Sequence, residues 1–350
     1  KKVLITGHTG FKGSWLTLWL LYCGAKIMGI SKDIPSQPSL FKTLKIKNKI
    51  IDKKFDLKDI RTLEREIKKF KPDFIFHLAA QSLVKRSLKN PYLTWISNSL
   101  GTINILEVLK NLKIRKKIVA IMITSDKSYK NIEIKRGYVE KDRLGGIDPY
   151  SASKASAELA LQSYINSFFK INKKNIVFGI ARAGNVIGGG DWADDRLIPD
   201  CIKSWSKKEI VKIRNPKSTR PWQHVIEAIC GYLNLANNLK HNSKLNGEVF
   251  NFGPDNKSNF SVLHLIKELE KNDLKLKWKV VEEKNNIESN LLKINSKKAN
   301  KFLKWKCILT FKETINYLAE WYKKYYNKKN MYLFTIDQIH KYEKKLLKNF

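Results

Sequence analysis

The sequence predicts an α/β fold, a doubly wound parallel sheet with a smaller, mostly helical second domain. Three observations carry that expectation. Short β-branched or apolar runs alternate with longer periodic segments over the first 183 residues, and strand–helix alternation builds parallel sheets. A glycine-rich turn joins the first strand to the first helix. Beyond about residue 184 the alternation gives way to Gly-, Asp- and Pro-rich loops and then a lysine-rich, largely helical end.

In chain order, Val3–Thr6 is a short apolar strand, Gly13–Cys23 the first helix and Lys26–Ile30 the second strand. Leu57–Phe70 is an amphipathic helix, with Leu57, Ile60, Leu63, Ile67 and Phe70 along one face. Phe74–Leu78 is a strand, Thr94–Leu112 a helix and Ile118–Thr124 a strand. A helix from Pro149 to Phe169 and a strand over Ile176–Ala181 complete the alternation. Thr310-Phe-Lys-Glu313 has the pattern of a capping box opening a last long helix. Its Tyr317, Trp321 and Tyr325 recur at helical spacing and read as a packing face. The expected division is residues 1–183, with parts of 223–252, as one domain and residues 184–350 as a second, interleaved one.

At 350 residues there is room for one large or two modest domains, and 43% hydrophobic with 11% aromatic residues excludes wholesale disorder. No window reaches the roughly 20 apolar residues of a membrane helix. Lys1-Lys2 runs straight into a strand, so no signal peptide is expected, and the missing Met points to trimming upstream. Cysteines at 23, 201, 230 and 307 make neither a CxxC pair nor a disulfide framework, which suits a reducing cytoplasm.

The net charge of +36 raises nucleic acid or an anionic membrane as partners. Its distribution argues against both. Net charge is +17 over residues 1–120, +7 over 121–230 and +12 over 231–350, so the stretch richest in motifs is the least basic. All ten arginines precede residue 221. Lysine spread over polar helix faces reads as a compositional habit, and neither a nucleic-acid nor a membrane partner is expected.

The turn Ile5-Thr6-Gly7-His8-Thr9-Gly10-Phe11-Lys12-Gly13 opens the first helix. Gly7 and Gly10 permit a tight turn and close backbone approach to a pyrophosphate on the helix start, and Gly13 lets helix and strand pack closely. Gly7, His8, Thr9, Gly10, Phe11, Lys12 and Gly13 are therefore candidate dinucleotide-binding residues of a Rossmann-type domain. The second strand ends Gly29-Ile30-Ser31-Lys32-Asp33, with no carboxylate where a ribose diol would be bound. Ser31 and Lys32 are the candidates there, and Lys32 can accept a 2′-phosphate. Asp56 and Leu57 stand where an adenine contact is expected. The choice between NAD and NADP stays open.

Tyr150-Ser-Ala-Ser-Lys154 puts a phenol and an ammonium four residues apart on one helix face. A neighbouring cation favours phenolate, so a lowered tyrosine pKa is expected. Thr124-Ser125-Asp126-Lys127 ends the preceding strand, where a doubly wound sheet places its active site. Ser125, Asp126 and Lys127 would meet Tyr150 and Lys154 there. Six scattered histidines give no metal-ligand spacing, and no metal is expected.

These motifs, with His77-Leu-Ala-Ala80, resemble the extended short-chain dehydrogenase/reductases that act on nucleotide sugars. The segments TGHTGFKGSWL (6–16), TSDKSY (124–129), DPYSASK (148–154), ARAGNVIGGGDWADDRLIPD (181–200) and RNPKSTRPWQHV (214–225) resemble the CDP-glucose 4,6-dehydratases among them. The resemblance covers nearly the whole chain. It implies NAD as a cofactor that stays bound, CDP-glucose as substrate, and a homodimer or higher homo-oligomer built through the helices near 94–112 and 149–169. It adds Leu78, Ala79, Ala80, Tyr150 and Lys154 to the cofactor set. It implies that Tyr150, with Ser125 and Lys154, takes the C4 hydroxyl proton, and that Asp126 serves the C6 hydroxyl. Lys127 stands where dTDP-glucose relatives carry a carboxylate base. Either it is the C5 base, its pKa depressed by crowding and desolvation, or it stabilises the C4 enolate.

On the substrate side, Arg182, Asn185, Arg196, Arg214 and Arg220 fall in the stretches resembling substrate loops. Guanidinium forks suit a pyrophosphate better than ammonium groups do. By motif position Asn185 and Arg220 are the strongest diphosphate contacts, while Arg182 reads as structural. Gln81 and Ser82 align with sugar-facing positions. His77 reads as a core histidine, and His224 either touches ligand or braces its loop. Two rivals remain: another enzyme of the same superfamily, either a dehydratase of a different nucleotide sugar or a C4 epimerase, the latter disfavoured by Asp126-Lys127, and a nucleic-acid-binding protein on an inactive nucleotide fold.

Overall fold

The computed structural model describes residues 1–113, 115–172, 175–254, 259–281 and 291–349. Its centre is a seven-stranded sheet of β1 (Lys2–Thr6), β2 (Lys26–Ser31), β3 (Ile51–Lys54), β4 (Phe74–His77), β5 (Ile118–Ile123), β6 (Ile176–Ala183) and β7 (Glu248–Phe252). They lie in the order β7-β6-β5-β4-β1-β2-β3, every pair parallel. This is a doubly wound, Rossmann-type sheet, and its order reverses between β1 and β4. Thr6 is in register with Ile30 on one side and His77 on the other, so a crevice opens beyond the carboxyl ends at that point.

Pleating sends alternate side chains to opposite faces. Val3, Ile5, Val119 and Ile121 join the layer that holds Trp15, Val225 and Ile229, while Leu4, Ile75, Ala120 and Met122 join Leu63, Ile67, Ile105 and Leu161. All six residues of β5 and all eight of β6 are buried, as both faces of a covered parallel sheet require.

Several elements differ from the sequence expectation, each for a local reason. The Ile60–Phe70 helix starts three residues late because Asp59 caps it, its carboxylate accepting from Thr62 N at 3.0 Å. The segment expected as one helix over 94–112 is a short helix (Pro91–Trp95), a π-turn (Ile96–Leu100) and a helix (Gly101–Asn111). The wider turn carries Asn98 into the interior, where its amide donates to Ser153 Oγ at 2.9 Å and Gln81 O at 3.0 Å. The Pro149–Tyr164 helix likewise ends in a π-turn, Ile165–Phe169. β3 escapes the sequence reading because Ile-Asp-Lys-Lys carries no strand-like alternation.

After β6 the chain leaves the sheet and returns. The Val225–His241 helix packs on β5, β6 and the Phe11–Tyr22 helix, and β7 adds beside β6. Three short pairs lie outside: Val186–Ile187 with Gln223–His224, Thr219–Pro221 with Asn259–Ser261, and Ile210–Ile213 with Lys277–Val280. Thr310 and Glu313 form the expected capping box, and Trp321 is fully buried, stacking on Tyr325 at 5.7 Å. Among the described residues no helix is long and apolar enough to cross a membrane.

Candidate active site

A cleft of about 760 Å³ runs along the carboxyl edge of the sheet, lined at one end by the glycine turn and at the other by residues 185–214. Gly7 has φ +78°, and a Cβ there would lie 2.7 Å from the backbone nitrogen of Ala79. A Cβ on Gly13 would lie 2.1 Å from Gly7 O. Gly10 offers no side-chain cap and no acidic residue sits in the first turn, so the positive end of the Phe11–Tyr22 helix faces the cleft. This cradle fits a dinucleotide pyrophosphate. Gly13→Ala is expected to cost about 1–3 kcal/mol in urea unfolding, because the added methyl runs into the backbone of Gly7 and His8.

Gly7, Thr9, Gly10, Phe11, Lys12, Gly13, Ser31, Lys32, Asp56, Leu57, Leu78, Ala79 and Ala80 line the cleft. The His8 side chain does not. It is buried over Gly29, with Nε2 2.9 Å from Asp52 Oδ1 and Nδ1 2.9 Å from Ser31 Oγ. Its ring therefore fixes the turn from behind. Lys32 pairs with Asp56 at 3.1 Å.

Ser125, Asp126, Lys127, Tyr150 and Lys154 come together at the centre of the cleft. Asp126–Ser128 is a single 3-10 turn after β5, capped by Ser125 Oγ, which accepts from Lys127 N at 3.2 Å. Asp148 caps the next helix and Pro149 starts it, which places Tyr150 in the first turn and Lys154 one turn deeper. The Lys154 ammonium donates to Ile123 O at 3.0 Å, and burial pulls its pKa down to about 8.

The expected lowering of the Tyr150 pKa is not what the geometry gives. Burial pushes the phenol up and the Asp126 carboxylate adds to the rise, against the Ser125 hydroxyl and Arg196, which favour phenolate. Lys154 is turned toward the end of β5 instead. Burial also raises the pKa of the Asp126 carboxyl from its ordinary value, opposing Lys127, Ser125 and Lys12. Gly184 keeps the space beside it open, since a Cβ there would lie 3.5 Å from Asp126 Oδ2.

Asn185, Arg196, Arg214 and Arg220 line the far wall, with Gln81 and Ser82 between wall and centre. Arg196 pairs with Asp191 at 2.9 Å and donates to Ser82 Oγ at 3.2 Å. The Gln81 amide is engaged within its own loop, donating to Leu83 O and Thr94 Oγ1 and accepting from Leu83 N at 2.6 Å. His224 lies outside the cleft, between the Trp15 and Tyr317 rings, its Nδ1 accepting from Ile226 N. Of its two readings the structure favours the brace. His77 is held between Thr6 and Thr102, and burial keeps it neutral, pulled down to about 3. Arg182 is buried against Glu158.

The sequence model of the GDP-mannose 4,6 dehydratase family matches residues 4–318. The chain belongs to this family. It is 40% identical over 348 residues to the CDP-glucose 4,6-dehydratase of Salmonella typhimurium, covering 98% of this chain and 96% of that one. Its fold is that of the Streptomyces venezuelae dTDP-glucose 4,6-dehydratase DesIV, solved with NAD and TYD bound (TM-score 0.80, 18% identity, 94% of this chain and 99% of that one). It is equally that of a Bacillus cereus UDP-glucuronic acid 4-epimerase, solved with UDP-glucuronic acid and NAD (TM-score 0.79, 22% identity, 93% and 100%).

For this dehydratase-family chain, two supporting residues were missing from the sequence expectation. Asn98 reaches Gln81 and Ser153 only because of the π-turn. Asp191 holds Arg196 from within GGGDWADD, and an acidic neighbour five residues before a candidate arginine was the available hint. No group of three or more His, Cys, Asp or Glu side chains able to hold a metal exists among the described residues.

Proposed function

We propose that this chain is an NAD-dependent nucleotide-sugar 4,6-dehydratase that converts CDP-glucose to CDP-4-keto-6-deoxyglucose. The observation that carries the reading is the full-length likeness to an enzyme of that name, in a chain whose cleft gathers Tyr150, Lys154, Asp126 and Lys127. The glycine cradle suits the cofactor's pyrophosphate, and the Lys32–Asp56 pair, which engages the lysine that would meet a 2′-phosphate, supports NAD over NADP.

When bound, NAD supplies a reversible store for the hydride of C4. The chain's own residues move the protons. Tyr150, beside Ser125, accepts the C4 hydroxyl proton, with the Ser125 hydroxyl and Arg196 favouring the ionised phenol. Oxidation at C4 acidifies the C5 hydrogen, which the Lys127 amine takes and later returns. Asp126 gives its proton to the C6 hydroxyl, which leaves as water. Tyr150 gains one proton and Asp126 loses one per turnover, and exchange with solvent resets both. Arg196, Arg214, Arg220 and Asn185 would hold the substrate diphosphate, with Gln81 and Ser82 near the sugar. On this reading residues 1–183 with parts of 223–252 form the cofactor half and the remainder of 184–350 the substrate half. The protein works in the cytoplasm as a homodimer or higher homo-oligomer built on the helices near 94–112 and 149–169.

The direct test is mass spectrometry of CDP-glucose incubated with protein and NAD, beside UDP-, dTDP- and GDP-sugars. Loss of one water from the CDP sugar alone is expected. Water loss from another sugar would overturn the base, and none from any would overturn the reaction. Lys127→Met is expected to retain C4 oxidation, seen as cofactor reduction, yet to lose deuterium uptake at C5. Normal uptake would sink the base assignment and leave Lys127 an electrostatic role.

A further inference from the structure

The aromatic stripe of the Phe311–Tyr326 helix packs on the loop that carries Arg196. Trp192 is buried against it, its ring centre 5.6 Å from that of Trp321 and 4.8 Å from that of Tyr325. A Cβ on Gly189 would run into the Trp321 ring, so the loop backbone lies directly on the helix. The Tyr322 hydroxyl, also buried, donates to Asp191 O at 2.6 Å. Asp191, between these anchors, is buried as well. Its carboxylate accepts from Ala193 N at 3.1 Å on Oδ1 and from Arg196 Nη1 at 2.9 Å on Oδ2.

We propose that Asp191, seated on this C-terminal aromatic stripe, is a positioning residue for the substrate diphosphate, aiming the Arg196 guanidinium into the cleft. The inference rests on the functional reading above, in which Arg196 is one of the diphosphate ligands. With Nη1 held by Asp191, Nη2 reaches Ser82 Oγ at 3.2 Å, so the guanidinium joins the two segments that line the cleft. A loop arginine gives up many rotamers when it clamps an anion. One already held by a fixed carboxylate gives up fewer, and more of the charge-assisted bond then appears as affinity.

A carboxylate near a diphosphate also repels it, so the two effects of Asp191 have opposite signs. As a counter-charge alone it would weaken binding, and its removal would tighten CDP. As an anchor it strengthens binding, and its removal weakens CDP. The anchor dominates here. Asp191 touches Arg196 directly, whereas its repulsion of a phosphate beyond the guanidinium acts over a longer distance with that cation between them.

The experiment titrates NAD-loaded protein with CDP and with cytidine in a calorimeter and measures kcat and KM for CDP-glucose. Native protein is compared with Asp191→Asn, Arg196→Met, the two combined, and Tyr322→Phe. Asp191→Asn is expected to weaken CDP by about 10-fold and to leave cytidine unchanged. KM should rise by about the same factor while kcat stays within about two-fold, a split that damage to the fold would not give. Arg196→Met should weaken CDP at least as much, and adding Asp191→Asn to it should change nothing further, because Asp191 acts through the arginine. Tyr322→Phe, which keeps both charges, should weaken CDP by about 3-fold. CDP held by Asp191→Asn as tightly as by native protein or more tightly, cytidine weakened in parallel, or a further loss in the combined variant overturns the assignment and leaves the functional reading standing. Native protein that binds CDP no better than cytidine and removes no water from CDP-glucose overturns the functional reading, and the assignment with it.

Discussion

Tyr150→Phe is expected to lower turnover of CDP-glucose by about 10²–10⁴-fold, the range that a positioned proton acceptor supplies. The change removes one oxygen and leaves the ring. The ring is buried at a helix start already fixed by Asp148 and Pro149, so the fold should survive and unfolding by urea should change little. The block should fall on the first chemical event. Bound cofactor should stay oxidised when substrate is added, and neither C4 oxidation nor C5 exchange should appear. Lys127→Met, by contrast, should stop after C4 oxidation. If Tyr150→Phe still reduced its cofactor at the native rate, another group would be taking the C4 proton, and Tyr150 would be only a wall of the cleft.

Arg182→Met is expected to destabilise the protein by about 3–5 kcal/mol, read as a lower urea midpoint. Both partners of the Arg182–Glu158 pair are almost wholly buried. Glu158 accepts from Arg182 Nε at 3.0 Å on each oxygen and from Thr124 Oγ1 at 2.9 Å, while Arg182 Nη1 donates to Glu140 O at 3.2 Å. Removing the guanidinium strands a carboxylate in the interior. Arg182→Met combined with Glu158→Leu should recover much of the loss, since two apolar groups bury more cheaply than one orphaned charge. If the single and double variants unfold alike, the pair is not what holds β6 to the Pro149–Tyr164 helix. The single variant should also raise the Lys154 pKa, because Glu158 is the charge that already supports that ammonium.

The parts legible in the sequence were those that short-range pattern controls. The glycine turn, Tyr150 and Lys154 one turn apart, and the capping box at Thr310 all depend on residues within a few positions of each other, and the structure realises them locally. Arg182 was also read as structural, and the structure buries it on β6 against Glu158. What escaped depends on partners distant in sequence. His8 turns inward because Asp52 waits for it on β3, 44 residues away, and Lys12 turns toward Tyr232, 220 residues away. Gln81 stands where a sugar contact is expected, but Thr94 and its own loop engage its amide. The Tyr150 pKa went the other way because helical spacing reports which charges are near and says nothing about how much water is lost around them.

The late return of the chain to the sheet has a consequence for its synthesis. β6 emerges from the ribosome with all eight residues destined for burial, yet its outer neighbour β7 begins about 65 residues later. At roughly 5–20 residues per second the gap lasts several seconds. Throughout that interval β6 presents an unpaired, apolar edge of the kind that templates pairing with other chains. The covering Val225–His241 helix arrives in the same window. A nascent chain paused between residues 183 and 248 would therefore be at its most aggregation-prone and most dependent on chaperones, and a pause placed after β7 would be far safer for the cell.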